Sequence, residues 1–346
     1  MVESDEEKMF VFYLADGFAL MDFSVAIESL RLVNTALGRD VYRWRIASLD
    51  GRPVRASCGF SFPADTSVSA ERLSVARTPP FMTLVYGGGD TDISVPVLEA
   101  WIRESYSRKV KIGGICGGTF TLARAGILNR RRCSLHWALA PAFSETFPTV
   151  ELSRSIVEID QGIYTAAGGA SLFDMMMIII GEDFGETTVA NTCELAIVDR
   201  VRSPGERQRI PLTRRLNIQN ETVLNVIAAM EANLVEPLSP ERLCKHIGLS
   251  RRQIERLFNI HMGCSPARFY TRLRLERARL MLLKTGLPVI EIAVACGFIS
   301  SSHFSKSYRE EYGESPGETR TPRAGAPQHS GGVIRHNRTG NRAAVA

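Results

Sequence analysis

The chain has 346 residues, 45% hydrophobic and 23% charged, which fits two domains of an ordinary water-soluble protein. Apolar runs such as Met175–Ile180 are too short to span a bilayer, residues 1–8 are acidic where a secretory signal is basic, and the seven scattered cysteines include no CxxC pair. These features exclude a membrane span, a disulfide framework and a structural zinc site, and they predict a cytoplasmic protein with reduced thiols and no bound cofactor or metal.

The first 200 residues alternate strand and helix signals. Met9–Leu14 has a strand's length and is followed by a turn at Asp16-Gly17 and a helical pattern from Leu20 to about Asn34. Trp44–Leu49 and Phe81–Tyr86 are further strands, Asp92–Tyr106 is a helix, and Val110–Ile115 is a buried strand running into Cys116. A helix ending near Gly126, a strand at Ile163–Ala166, and helices at Ser171–Ile180 and Glu186–Asp199 complete this part. Met175–Ile180 reads as core, and Glu28 as a solvated helix residue. Such alternation predicts an α/β fold with a parallel sheet covered by helices on both faces. Val201–Asn217, rich in Arg, Gln and Pro, breaks the pattern. Beyond Glu221 the reading is all helical, and after Gly317 large apolar residues are few. The expected domains are 1–201, a linker 202–216, a helical domain 217–320 and a disordered tail 321–346.

The net charge of +5 conceals a division. Residues 1–201 carry 19 Lys+Arg against 25 Asp+Glu, and residues 202–346 carry 23 against 12. The basic part is therefore the one suited to a polyanion. Within it two stretches repeat: LSPERLCKHIGLSRRQIERLF (238–258) and LPVIEIAVACGFISSSHFSKSY (287–308). Gly248 and Gly297 are 49 residues apart, whereas Ile254 and Phe304 are 50 apart, so the second unit carries one extra residue after its turn. Each unit has helix-turn-helix physics. Pro240 and Pro288 suit a first helical turn, a glycine turns the chain between helices, and Ser250 can cap the helix that follows. Leu243, Ile247 and Leu249 can pack the first helix, and Ile254, Leu257 and Phe258 point inward from the second. Ser250, Arg251, Arg252, Gln253 and Arg256 are then left to read base edges or hold phosphates. Ser300, Ser301, His303, Lys306 and Arg309 do so in the second unit. A helix bearing Arg268, Arg272, Arg274, Arg277 and Arg279 joins the units, so that both can enter successive major-groove faces of duplex DNA, ~34 Å apart.

From about Asn217 to Arg320 the chain closely resembles the AraC family of regulators. Gly263-Cys-Ser-Pro266, Gly313-Glu-Ser-Pro316, Arg272-Leu-Arg-Leu-Glu-Arg-Ala-Arg279 and Ala295-Cys-Gly-Phe298 carry that resemblance.

In the first part Cys116 is the chemically notable residue. It follows an apolar strand and precedes Gly117-Gly118 and a helix, a turn that exposes its side chain and aims backbone N–H groups at a ligand. Here the chain resembles the PfpI-like branch of the class I glutamine amidotransferase superfamily, with its flavodoxin-like sheet. The matching stretches are Gly17-Phe-Ala-Leu-Met-Asp22, Tyr86-Gly-Gly-Gly89, Gly114-Ile-Cys-Gly-Gly118, Leu122-Ala-Arg-Ala-Gly126 and His136-Trp137. Regulators that fuse this domain to an AraC-type domain are a known group. Residues 111–137 and 205–212 are most similar to its activators of arginine or of carnitine and glycine-betaine catabolism. The resemblance implies a ligand pocket in which Asp22 faces Cys116, Gly88 and Gly117 supply N–H groups, and His136 lies nearby. Hydrolases of this branch place His directly after the nucleophile, where this chain has Gly117. A cysteine without that base lacks the partner that activates it. Cys116 is read as a pocket-lining contact, with an inert thiol, a nucleophile and a redox sensor as the alternatives.

The expected function is ligand-responsive transcription regulation, as an activator, without enzymatic turnover. The expected partners are duplex DNA, a small effector that is arginine-like or a quaternary amine, RNA polymerase and a second copy of the chain. The alternative is a cysteine-dependent amidase or hydrolase with an accessory DNA-binding domain.

Overall fold

The structure, a computed structural model, describes residues 7–88, 93–284 and 287–320. The expected disordered tail lies outside the described residues, as do Gly89 and Asp92.

The strands are β1 (Lys8–Leu14), β2 (Tyr42–Ser48), β3 (Val54–Arg55), β4 (Ser61–Phe62), β5 (Thr66–Ser67), β6 (Met82–Tyr86), β7 (Lys111–Ile115), β8 (Arg132–Cys133), β9 (Glu151–Leu152), β10 (Val157–Asp160) and β11 (Ile163–Ala166). The helices of the same region are α1 (Leu20–Leu37), α2 (Val68–Ser74), α3 (Pro96–Ser107), α4 (Gly118–Arg124), α5 (Ala140–Thr146) and α6 (Ser171–Ala196). Seven strands form one sheet in the order β10-β11-β7-β6-β1-β2-β5. The sheet is parallel, as the sequence suggested, except that its edge strand β10 pairs antiparallel with β11. Strand β1, an inner strand of this sheet, is covered on both faces. Phe10, Phe12 and Leu14 face the layer of α1 and α6, and Val11 and Tyr13 face the layer of α3 and α4. Burial on both faces replaces alternation by an unbroken apolar run.

Three boundaries differ from the sequence reading, each for a local reason. Helix α1 continues to Leu37, because its stop is Gly38 (φ 65), whose N–H returns to Thr35 O at 3.2 Å. Helix α3 begins at Pro96, whose missing N–H costs nothing in the first turn. The two helices expected at 171–180 and 186–199 are both present within α6, broken at Gly185 (φ 80, ψ 173), a conformation open chiefly to glycine, and the first runs on past Ile180 to that break.

The segment read as a linker lies on the first domain. Ile156 N–H donates to Glu206 O (2.9 Å), Val157 N–H to Pro204 O (3.3 Å), and Ser155 and Arg207 form an antiparallel bridge beside β10. Buried Asp174 accepts from Arg202 N–H at 2.7 Å and from its guanidinium at 2.7 and 3.0 Å. A charge-assisted set of this kind is a firm anchor.

The remaining helices are α7 (Leu212–Leu216), α8 (Glu221–Ala232), α9 (Pro240–Ile247), α10 (Arg251–Met262), α11 (Pro266–Lys284), α12 (Val289–Ala295), α13 (Ser301–Tyr312) and α14 (Pro316–Arg320). They build two cores. Val223, Ile227, Leu243, Ile254 and Phe258 form the first, and Ile292, Ala293, Phe304 and Tyr308 the second. Helix α11 gives Phe269 and Tyr270 to the first core and Leu275, Ala278, Met281 and Leu282 to the second, which makes it a strut shared by both units. No helix among the described residues is long and apolar enough to cross a membrane.

Candidate functional site

The carboxyl ends of β1, β6, β7 and β11 meet at one edge of the sheet. The chain leaves β1 for β2 on one side, while β6 pairs on the other, so a topological switch point lies between β1 and β6. Open α/β sheets bind ligands outside such a point. Asp22 follows β1, Tyr86 ends β6, Cys116 follows β7 and Gly168-Gly169 follow β11.

Cys116 has φ 50, a left-handed backbone that few side chains adopt. Its N–H donates to Ala166 O (3.0 Å), and its side chain packs against the cores on both faces of the sheet. The turn is built on glycine. A Cβ on Gly118 would lie 1.9 Å from Val85 O, and one on Gly87 2.2 Å from the Gly117 carbonyl carbon. A Cβ on Gly88 would likewise lie 1.9 Å from Asp16 O. These close approaches draw the Cys116 elbow against the end of β6.

Asp22 lies in the first turn of α1, only 4% exposed. Its Oδ1 accepts from Gly169 N–H at 2.6 Å. A Cβ on Gly168 would lie 2.8 Å from Asp22 Oδ2 and 3.2 Å from Cys116 Cβ, so Asp22 and Cys116 converge on the Gly168 α-carbon. Burial pushes the Asp22 carboxyl up to about 6, against the Gly169 N–H that draws it down. The buried Tyr86 hydroxyl has no hydrogen-bond partner among the described residues, and burial with the nearby Asp22 charge holds it well above its ordinary value. A buried donor left unmade is costly.

Gly117 has ordinary helical angles (φ −61) and caps α4. His136 Nδ1 accepts from Ala138 N–H (3.2 Å), and its ring lies 5.4 Å from that of Trp137. The loop of His136 and Trp137 is bound to the linker. Gln208 Oε1 accepts from Trp137 N–H (2.8 Å), while Nε2 donates to Leu135 O (3.0 Å) and Ser155 O (2.8 Å). The Arg209 guanidinium stacks 4.8 Å above the Trp137 ring and pairs with Glu231 of α8 at 3.2 Å. Arg215 pairs with the same Glu231.

The sequence reading missed Tyr86, Gly168-Gly169 and Gln208. The Ala-Gly-Gly-Ala run before Ser171 has the same small-residue character as the Cys116 turn and could have revealed the glycines. The others depend on contacts far apart in the chain.

The second set of residues lies on α10 and α13. Residues 251–260 and 301–310 have the same sequence of exposed, intermediate and buried positions, so the two helices present equivalent faces. Ser250 caps α10 in a capping box in which Gln253 Oε1 accepts from Ser250 N–H at 2.9 Å. Arg251 pairs with Glu255 (2.8 Å), while Arg252 and Arg256 are exposed. Ser300 caps α13, and Ser301, His303, Lys306 and Arg309 are exposed, as is Ser302, which matches Arg252 in position. Pro288 is the residue before α12 rather than part of it. The strut arginines divide, with Arg268 and Arg279 exposed and Arg272 and Arg274 engaged within the fold. Arg272 pairs with Glu311 (2.7 Å), and Arg274 donates to Cys296 O (2.8 Å) and Gly297 O (2.6 Å).

Comparison with known proteins agrees with this division. Residues 8–182 match the DJ-1/PfpI family, and residues 243–322 match a helix-turn-helix domain. The HTH-type transcriptional regulator GbdR of Pseudomonas aeruginosa is 38% identical over 311 residues, spanning 89% of this chain and 83% of that protein. CdhR of the same species, also named an HTH-type transcriptional regulator, is 36% identical over 311 residues, with 90% and 91% covered. GlxA of Rhizobium meliloti, named likewise, is 31% identical over 310 residues, covering 89% and 94%. Among solved structures, an AraC family transcriptional regulator from Pseudomonas putida matches at 24% identity and TM-score 0.50, covering 55% of this chain and 99% of that one, a likeness of fold.

Proposed function

This chain belongs to the DJ-1/PfpI family in its first half and to the AraC-type helix-turn-helix regulators in its second, and from that premise we propose that it is a transcription activator gated by a small cationic metabolite. The observation that carries the reading is Asp22. A carboxylate so deeply buried, with a backbone N–H on one oxygen and a partnerless Tyr86 hydroxyl nearby, gains most from a cation brought to it. The effector class is arginine-like or a quaternary amine. Its contacts are Asp22, Cys116, the N–H groups near Gly88 and Gly117, and His136.

Cys116 serves as a contact in this reading, because this chain has Gly117 at the position where the related hydrolases carry His. DNA is read by Ser250, Arg251, Arg252, Gln253 and Arg256, and by Ser300, Ser301, His303, Lys306 and Arg309. Residues 1–201 sense, 202–216 connect and 217–320 bind DNA. Assembly as a homodimer and contact with RNA polymerase complete the proposal, and both derive from its regulator family.

The test is thermal unfolding of the full chain with arginine, carnitine and glycine betaine, each of which carries a cationic group, and with controls that lack one. A cation at 100-fold its Kd adds about 2.7 kcal/mol, a rise of several degrees. No stabilisation by any cation, or equal stabilisation by the controls, overturns the reading. Turnover of the binding cation would make the domain an enzyme instead.

A further inference from the structure

The two turns differ by one residue. In the first unit Leu249 alone separates Gly248 from the capping Ser250, whereas in the second Phe298 and Ile299 separate Gly297 from Ser300. Phe298, 3% exposed, takes the inward place that corresponds to Leu249. Ile299 is the extra residue, and it is fully exposed, at 104%.

The turn cannot swing that side chain under cover. The Arg274 guanidinium sits 3.9 Å from the centre of the Phe298 ring and holds the carbonyls of Cys296 and Gly297. Gly297 (φ 74) is seated so closely that a Cβ there would lie 2.8 Å from Leu234 O and from Pro237. Ile299 is therefore held outward on a fixed turn, directly before the N-terminus of α13. A β-branched side chain in such a place has little rotamer freedom left to lose on contact. Left in water, it forgoes the gain of burying its methyl groups.

Recognition helices of this motif put their N-terminal residues against base edges in the major groove. Of the groups displayed there, the C5-methyl of thymine is the apolar one. We propose that Ile299 reads a thymine by packing against its C5-methyl, and so sets specificity at one position of the site bound by the second unit. This rests on the DNA-binding role of α13. It adds an apolar contact to the polar residues of that helix.

The test starts with the full chain selecting duplexes from a random-sequence library. In the tightest duplex each thymine is then replaced singly by deoxyuridine, which removes only the methyl group. Wild type is expected to lose about fourfold in affinity at one thymine, the worth of one buried methyl. Ile299→Ala is expected to bind the thymine and deoxyuridine duplexes equally at that position, while Ile299→Val keeps most of the preference. Thermal unfolding of Ile299→Ala should match wild type, since the side chain touches nothing in the fold. If no position shows methyl sensitivity that depends on residue 299, the inference is overturned. It is also overturned if Ile299→Ala keeps the wild-type pattern on DNA but fails to activate transcription with purified polymerase, which would assign the residue to that enzyme. Failure to select any duplex refutes the DNA-binding reading first, and this inference with it.

Discussion

On the proposed reading, Asp22 couples cation binding to the stability of the empty protein. Its carboxyl is pushed up to about 6 from 3.8, so the folded chain holds this proton more tightly than the unfolded one. The contribution to stability is then greatest below pH ~4, declines as the pH rises through about 6, and at neutral pH is a cost. Asp22→Asn keeps an acceptor for Gly169 N–H and removes the charge. At pH 7 it should stabilise the ligand-free protein by about 1–3 kcal/mol, a few degrees in unfolding temperature, with no gain below pH ~4. The same variant should lose the stabilisation given by a cation. Unfolding curves of both proteins across this pH range check both effects. A lower unfolding temperature at pH 7 would mean that the ionised carboxylate is already compensated without a ligand.

Two kinds of arginine coexist in the DNA-binding half at the level of elements. Arg274 closes the end of α12, with two hydrogen bonds to carbonyls and a stacked aromatic ring, so its removal leaves polar groups unpaired at a packed turn. Arg256 is exposed on α10. Arg274→Ala should therefore cost about 2 kcal/mol of stability and weaken DNA binding through misplacement of α13. Arg256→Ala should change stability by less than ~0.5 kcal/mol and weaken specific binding by about 1–3 kcal/mol if it reads a base bidentately. Unfolding and duplex binding measured on both variants check the contrast. Equal losses of stability would show that the division is mistaken.

At the scale of the whole molecule, residues 202–209 join the loop of His136 and Trp137 to α8. Gln208 joins the linker to the loop of His136 and Trp137, and Arg209 spans from the Trp137 ring to Glu231 of α8. Coupling between sites is a free energy, and it needs an element that both sites bias. Arg209→Ala should leave cation binding by the first domain and duplex binding by the second each within about threefold, while the change in DNA affinity produced by the cation shrinks by fivefold or more. Measuring DNA affinity with and without cation in both proteins checks this, and an unchanged ratio would place the coupling elsewhere.

The sequence by itself determined the parts whose signals are local. Val110–Ile115 followed by Cys116-Gly117-Gly118 marks a strand feeding a tight turn, and Pro240, Gly248 and Ser250 punctuate a helix-turn-helix wherever they occur. Each depends on backbone geometry settled within a few residues. Only the tertiary structure decided that Asp22 meets Gly169, 147 residues away, that the nearby Tyr86 hydroxyl finds no partner among the described residues, that β10 turns antiparallel at the edge, and that Arg274 holds the carbonyls of Cys296 and Gly297. Such contacts have no period along the chain. They arise when distant elements are packed together, and burial then fixes which polar groups find partners and which are left for a ligand.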